Sequence, residues 1–292
     1  MNEIPYLVSN STDSIWGGLI TGITIESLHE QASYWRHKLY ERKILVIRGL
    51  PTLTMAQLWN LHTIWGVPWF EDYYRTTTER VVHIDGSSRC LTEYGNLITK
   101  ESIGNRRLPW HRDIPWHREK RYPIRSLYPI KMTSGAGNIG TKFCDADVAW
   151  TRLEEAEQKK LRSLQVTIQS WYQYHHKFKE VATKVIPLVE RHQLTGRESV
   201  LLNSFGPATD GLEYSVPLSG AWILDNLEFV NQLHQVVCTD DNIYTHQWEQ
   251  GDLVLFDNSS GVFHSRDPIP QVTGDEVVER LFWRLNLRHR WQ

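Results

Sequence analysis

Two periods run through the apolar positions of this chain, and the switches between them mark its elements. Leu28, Ala32, Trp35 and Leu39 recur at steps of four, three and four, which predicts one helix over residues 26–42. Lys43-Ile-Leu-Val-Ile-Arg-Gly49 is short, apolar and β-branched, and reads as a buried strand. Thr54 and Gln57 form a capping-box pattern, so a second helix starts at Thr54 and ends near Trp65-Gly66. A third is expected from Thr151 with Glu154, and a fourth from Asp225 with Glu228. The remainder is mostly strand-like. Gly251 to Phe256 reads as a strand, Asp257 to Gly261 as a turn, and Val262 to Arg266 as the returning strand. Leu281 to Arg288 is the last strand. Few helices among many short strands point to a β-sandwich or jelly roll with helices packed outside.

Composition narrows this further. A chain of 292 residues, 40% apolar and 23% charged, can bury about 75% of its unfolded surface. Without repeats, low-complexity tracts or Gly/Ser linkers, residues 1–292 read as a single domain. No uncharged apolar run approaches a membrane span, and the N-terminus lacks the basic and apolar regions of a signal peptide. Lys plus Arg is 32 against 34 for Asp plus Glu, so nothing favours a nucleic-acid partner. Cys90, Cys144 and Cys238 are far apart and odd in number, which suits neither a disulfide framework nor a zinc knuckle. The expectation is a cytoplasmic protein that meets a small molecule, with no membrane and no nucleic acid. Homo-oligomerisation is compatible with the sequence. The 13 Trp permit an aromatic-lined pocket.

The chemistry concentrates in Leu108-Pro-Trp-His-Arg-Asp-Ile-Pro-Trp-His117. His111 and Asp113 are two apart, so on a strand they share a face. An imidazole and a carboxylate aimed together make two ligands for a divalent metal. His264, just after the 257–261 turn, is the best third. Two His and one carboxylate with open positions form the facial triad of non-haem Fe(II) oxygenases. The plainer reading is a core histidine and a turn-capping aspartate. In the last strand, Arg280, Phe282, Arg284, Asn286 and Arg288 share one face, and Leu281, Trp283, Leu285 and Leu287 the other. An ordinary solvated face explains the first set. An arginine inside a jelly roll could instead meet the far carboxylate of a 2-oxo diacid through its planar fork, and Arg284 suits that.

Together these segments resemble the taurine and 2,4-D dioxygenase group of Fe(II)/2-oxoglutarate-dependent oxygenases. The similarity begins at Gly17-Gly-Leu-Ile-Thr-Gly-Ile-Thr-Ile25 and runs through Ile44 to Arg48 and Trp65-Gly66. Trp110-His111-Arg112-Asp113 resembles the family's Trp-His-x-Asp signature, and Gly251-Asp252 with Asp257-Asn258 its Gly-Asp-x-x-x-x-Asp-Asn segment. The resemblance implies an α+β fold with a double-stranded β-helix (jelly-roll) core and flanking helices. It implies iron ligands His111, Asp113 and His264, with Arg284 and Thr141 on the far carboxylate of 2-oxoglutarate and Arg280 as a second arginine. The implied cofactors are Fe(II), 2-oxoglutarate and O2. The implied reaction is oxidation of an unactivated C–H of a small acid, amino-acid derivative or natural-product intermediate, releasing succinate and CO2. Hydroxylation, desaturation and cyclisation are alternative outcomes. Asp113 argues against a halogenase, whose relatives carry a small residue there.

For substrate contact, Trp116 stands where a family aromatic lies, Phe205 could wall the pocket, and Tyr94 and Asn96 precede the motif on a lid-like stretch. Core packing is the plainer role for Trp116 and Phe205. His117 could share the strand face of His111, although Pro115 weakens that. Gly135-Ala-Gly-Asn-Ile-Gly140 satisfies G-x-G-x-x-G, but the strand-like Thr141-Lys-Phe-Cys144 follows where dinucleotide binding needs a helix. His29-Glu30 lacks a second zinc ligand at Ser33. Other readings of the same ligands are a metal-binding jelly roll without oxygenase activity and a zinc hydrolase.

Overall fold

The computed structural model describes residues 4–5, 7–11, 14–69, 79–83, 90–98, 108–112, 123–132, 139–174, 177–200, 219–223, 227–267 and 278–288. Two sheets position the site. Their strands are β1 (Gly18–Thr21), β2 (Ile44–Arg48), β3 (Val67–Trp69), β4 (Glu79–His83), β5 (Cys90–Ile98), β6 (Leu108–His111), β7 (Ile124–Met132), β8 (Thr141–Asp145), β9 (Ile243–His246), β10 (Leu253–Asp257), β11 (Val262–Arg266) and β12 (Val278–Arg288). The larger sheet runs β1-β2-β10-β7-β12-β5-β4, with β3 paired to the end of β12. The smaller runs β9-β8-β11-β6. Among the described residues of these two sheets, β1 and β2 form the one parallel pair.

Alternation along the strands sorts side chains into layers. On β10, Leu253 and Leu255 join Leu28, Trp35, Leu39, Leu58 and Leu61 on the outside of the larger sheet. Val254 and Phe256 point the other way, into a cluster with Phe143 of β8, Val262 of β11 and Phe282 of β12. That cluster is the core between the sheets. Cys144 and Phe263, the neighbours of Phe143 and Val262, face outward against Ala149, Trp150, Leu161 and Leu233. Strands covered on both faces read as unbroken apolar runs, which is why Ile44 to Ile47 shows no alternation.

Helices α1 (Ile25–Glu30), α2 (Ala32–Arg42) and α3 (Met55–His62) cover the larger sheet. On the smaller sheet lie α4 (Ala146–Thr151), α5 (Glu155–Arg162) and α6 (Leu227–Val237). The capping box of Thr54 and Gln57 forms as its sequence predicts. The single helix expected over 26–42 is instead two, because the chain leaves helical geometry at Gln31 (φ −105°, ψ 25°). Leu28, Trp35 and Leu39 still bury together, so the spacing reports the face correctly and the continuity wrongly. Thr151 ends α4 rather than starting a helix. Its hydroxyl turns back to donate to the Val148 carbonyl at 2.8 Å, and Asp145 caps α4 by accepting from the Asp147 N–H at 2.9 Å. Asp225 lies outside the described residues, and α6 starts at Leu227. No helix among the described residues is long and apolar enough to cross a membrane.

One buried ion cluster joins the layers. Lys43 ends α2 in a left-handed conformation (φ 67°) and sends its ammonium to Asp145 and, at 2.8 Å, to Asp147. Burial pushes Asp147 up to about 6, the Asp145 charge adding to it and Lys43 opposing it. The folded state therefore holds a proton that the unfolded chain has released between about pH 4 and 6, so ionising Asp147 weakens the fold as pH rises. Asp147→Asn should gain stability relative to the wild type as pH rises through that window. Urea unfolding from pH 4.5 to 7.5 checks this; a constant difference between the two proteins would refute it.

Candidate active site

The register of β6 on β11 sets His264 directly opposite His111. Their rings lie 4.0 Å apart, centroid to centroid, with planes inclined at 50°. Alternation explains the meeting. His264 shares the inward face of β11 with Val262, while Trp110 and Phe263 face the outer cluster. Phe256 and Phe143 flank the His264 ring at 5.2 and 6.2 Å. Two imidazoles this close in apolar surroundings suit one shared cation better than two separate positive charges. As a donor set they fit a borderline divalent metal such as Fe(II). Asp113, Trp116, His117 and Phe205 lie outside the described residues, and no third His, Cys, Asp or Glu among the described residues joins the pair to make a metal group.

Arg112 follows His111 and points away from it. Its guanidinium donates to the Asn258 carbonyl from Nε (3.2 Å) and Nη2 (2.9 Å) and lies over the Phe263 ring. The Asp257-Asn258 segment thus anchors the backbone beside His111, a link between two motifs that are far apart in sequence.

On the neighbouring strand β8, Thr141 lies on the face of Phe143, toward β12. Its Oγ1 accepts from Arg280 Nη2 at 3.3 Å and from Trp248 Nε1 at 3.0 Å. The Arg280 guanidinium also stacks 4.6 Å over the Phe282 ring. Arg284 follows on the same face of β12, in register with Thr92 of β5 and Leu127 of β7. The start of the face that could pass for a solvated one is buried, with Arg280 6% exposed and Phe282 0%, whereas Arg284, Asn286 and Arg288 are half-buried. Tyr94 and Asn96 lie on β5 with backbones in register with Phe282 and Arg280.

Sequence reasoning missed what holds Thr141. Trp248 packs edge-on to His246 at 4.4 Å and to Phe282 at 4.8 Å. His246 pairs with Asp252 (3.1 Å), which accepts from Arg48 Nε and Nη2 at 2.9 and 3.0 Å. Burial lowers the pKa of His246, with Asp252 opposing it; its Nε2 lies 3.1 Å from the carboxylate and its Nδ1 2.9 Å from the Tyr244 hydroxyl. Burial works against the Asp252 charge, but His246 and Arg48 outweigh it and hold the carboxyl below its usual range. The Gly251-Asp252 motif was legible; its partners were not. Gly251 adopts φ +84°, and a Cβ there would collide with the Leu50 carbonyl oxygen, so glycine is required at that turn.

A family model described as Taurine catabolism dioxygenase TauD, TfdA family matches residues 11–285. The chain belongs to that family. One relative is the (S)-phenoxypropionate/alpha-ketoglutarate-dioxygenase of Sphingobium herbicidovorans, 32% identical over 97 residues, which are 33% of this chain and 29% of that protein. The matched segment thus spans under a third of that relative. Among solved structures, AAD-2 in complex with Mn(II) and N-oxalylglycine superposes with a TM-score of 0.65 at 18% identity, covering 99% of this chain and 98% of that one. PvcB, described as an Fe, alpha-ketoglutarate dependent oxygenase from an isonitrile synthetic pathway, gives 0.63 at 17% identity, with 94% and 86% covered. These likenesses establish that the TauD/TfdA chain has the mixed helix-and-sheet fold of such dioxygenases.

Proposed function

We propose that residues 1–292 form a single Fe(II)- and 2-oxoglutarate-dependent dioxygenase domain, its two facing sheets being the halves of a double-stranded β-helix. The observation that carries this reading is the His111–His264 pair, in register inside the sandwich beside a Thr141–Arg280 contact that spans both sheets. His111, His264 and Asp113 hold the iron. Bound Fe(II) supplies the O2 activation and oxidative decarboxylation of 2-oxoglutarate that side chains cannot perform. The chain's own contribution is position. Thr141 Oγ1 already accepts from Trp248 and Arg280, so its hydroxyl proton is directed toward a third group, which we take to be the far carboxylate of 2-oxoglutarate. Arg280, which bonds Thr141, supplies the guanidinium beside it in place of Arg284. Arg284, four residues further along the same face beyond Phe282, then suits an acid group on the substrate. A small organic acid fits, as the named substrate of the Sphingobium relative does. Aromatic walls at Phe143, Phe256 and Phe282 keep the centre dry.

Protein supplied with Fe(II), ascorbate and 2-oxoglutarate in air should release succinate. No succinate under any loading of iron would overturn the reading. Arg280→Ala should raise the 2-oxoglutarate concentration for half-maximal release by about 10- to 100-fold through loss of a charge-assisted hydrogen bond. Arg284→Ala should act mainly on the substrate requirement. Equal effects of the two variants on both requirements would remove this division of roles.

A further inference from the structure

Cys144 and Cys238 are 94 residues apart in the chain, yet their sulfurs lie 3.4 Å from each other as reduced thiols. They differ in setting. Cys144 is fully buried on the outward face of β8, within the apolar cluster that includes Trp110 and Phe263. Cys238 follows the last residue of α6 and is half-buried. A third side chain holds their two segments together. Asn242, itself buried, donates from Nδ2 both to the Val237 carbonyl at 2.8 Å and to the Asp145 carbonyl at 2.9 Å. Val237 precedes Cys238 and Asp145 follows Cys144, so the clamp acts next to each cysteine.

We propose that Cys144 and Cys238 are a reversible dithiol–disulfide site, oxidised by peroxide. The more exposed Cys238 gives its proton to solvent and its sulfur attacks one peroxide oxygen. The O–O bond breaks, hydroxide leaves and is protonated to water, and Cys238 becomes a sulfenic acid. Cys144 sulfur then attacks the Cys238 sulfur. The S–O bond breaks, and the departing hydroxide leaves as a second water with the Cys144 proton. Two thiols and one hydrogen peroxide thus give one disulfide and two waters. Burial pushes the Cys144 thiol well up, so it keeps its proton and reacts second rather than meeting peroxide itself. Closure needs the sulfurs to approach to about 2.05 Å, a movement that the end of a helix can supply. The bond would tie the end of α6 to the strand that carries Thr141.

The test treats the full chain with one to three equivalents of hydrogen peroxide, blocks remaining thiols with N-ethylmaleimide, and maps peptides under non-reducing conditions. The expected result is one peptide pair linked through Cys144 and Cys238, two hydrogens lighter than the separate peptides and released by dithiothreitol. Because the bond closes a long loop, the unfolding midpoint should rise by roughly 4–8 °C and return on reduction. In Cys144→Ser, Cys238 should pass on to sulfinic acid, because its partner is gone. A disulfide that includes Cys90, a bond between two chains, or Cys238 sulfinic acid in the wild type with Cys144 still alkylatable would each overturn the proposal. The wild-type map decides even if the variant fails to fold.

Discussion

His264→Ala should abolish succinate release and weaken Fe(II) binding by more than ~100-fold, since loss of a residue that only orients a ligand already costs about 10–100-fold. The position of His264 is over-determined. β11 is paired on one side with β8, where Phe143 opposes it, and on the other with β6, where His111 opposes it. Phe256 and Phe143 fix the plane of its ring. Alanine removes a nitrogen donor without disturbing either strand pairing, so the loss should appear in metal affinity before it appears in folding. Anaerobic Fe(II) titration by calorimetry, alongside a thermal unfolding curve, separates the two effects. Unaltered iron affinity in a folded variant would refute the ligand assignment, whatever happens to turnover.

Lys43→Ala should cost about 3–5 kcal/mol of stability, the range for breaking a buried ion pair by removing one partner. The side chains of Asp145 and Asp147 are 0% and 8% exposed, and the Lys43 ammonium contacts both. Without it, two carboxylates stand together in an interior that cannot solvate them. Asp145 cannot turn away, because its other oxygen caps α4 through the Asp147 N–H. The effect should be larger above pH 6, where Asp147 is ionised, than at pH 5. Adding Asp147→Asn to Lys43→Ala should recover part of the loss. Urea unfolding at both pH values measures all three, and a loss below ~1 kcal/mol for the single variant would show that water reaches the cluster.

Elements governed by neighbouring residues were legible along the chain. The capping box at Thr54, the β2 run of Ile44 to Ile47, and the β10–turn–β11 unit each depend on side-chain chemistry within a few positions. Where a local signal met a competing local partner, the reading failed: Thr151 looked like a helix start, but its hydroxyl bonds the turn behind it. The cysteines looked unrelated because their separation is closed only by the packing of α6 on β8. Arg280 and Thr141, like Trp248 and Thr141, lie more than a hundred residues apart, so no periodicity relates them. Strand alternation assigns a residue to one of two faces, but the second sheet decides whether that face meets water or a core. At the start of β12 it meets a core, and this turns Arg280 from a plausible surface charge into a buried guanidinium bonded to Thr141. Local chemistry thus settles which residues can act, whereas long-range register, set by burying both faces of each sheet, settles which of them meet.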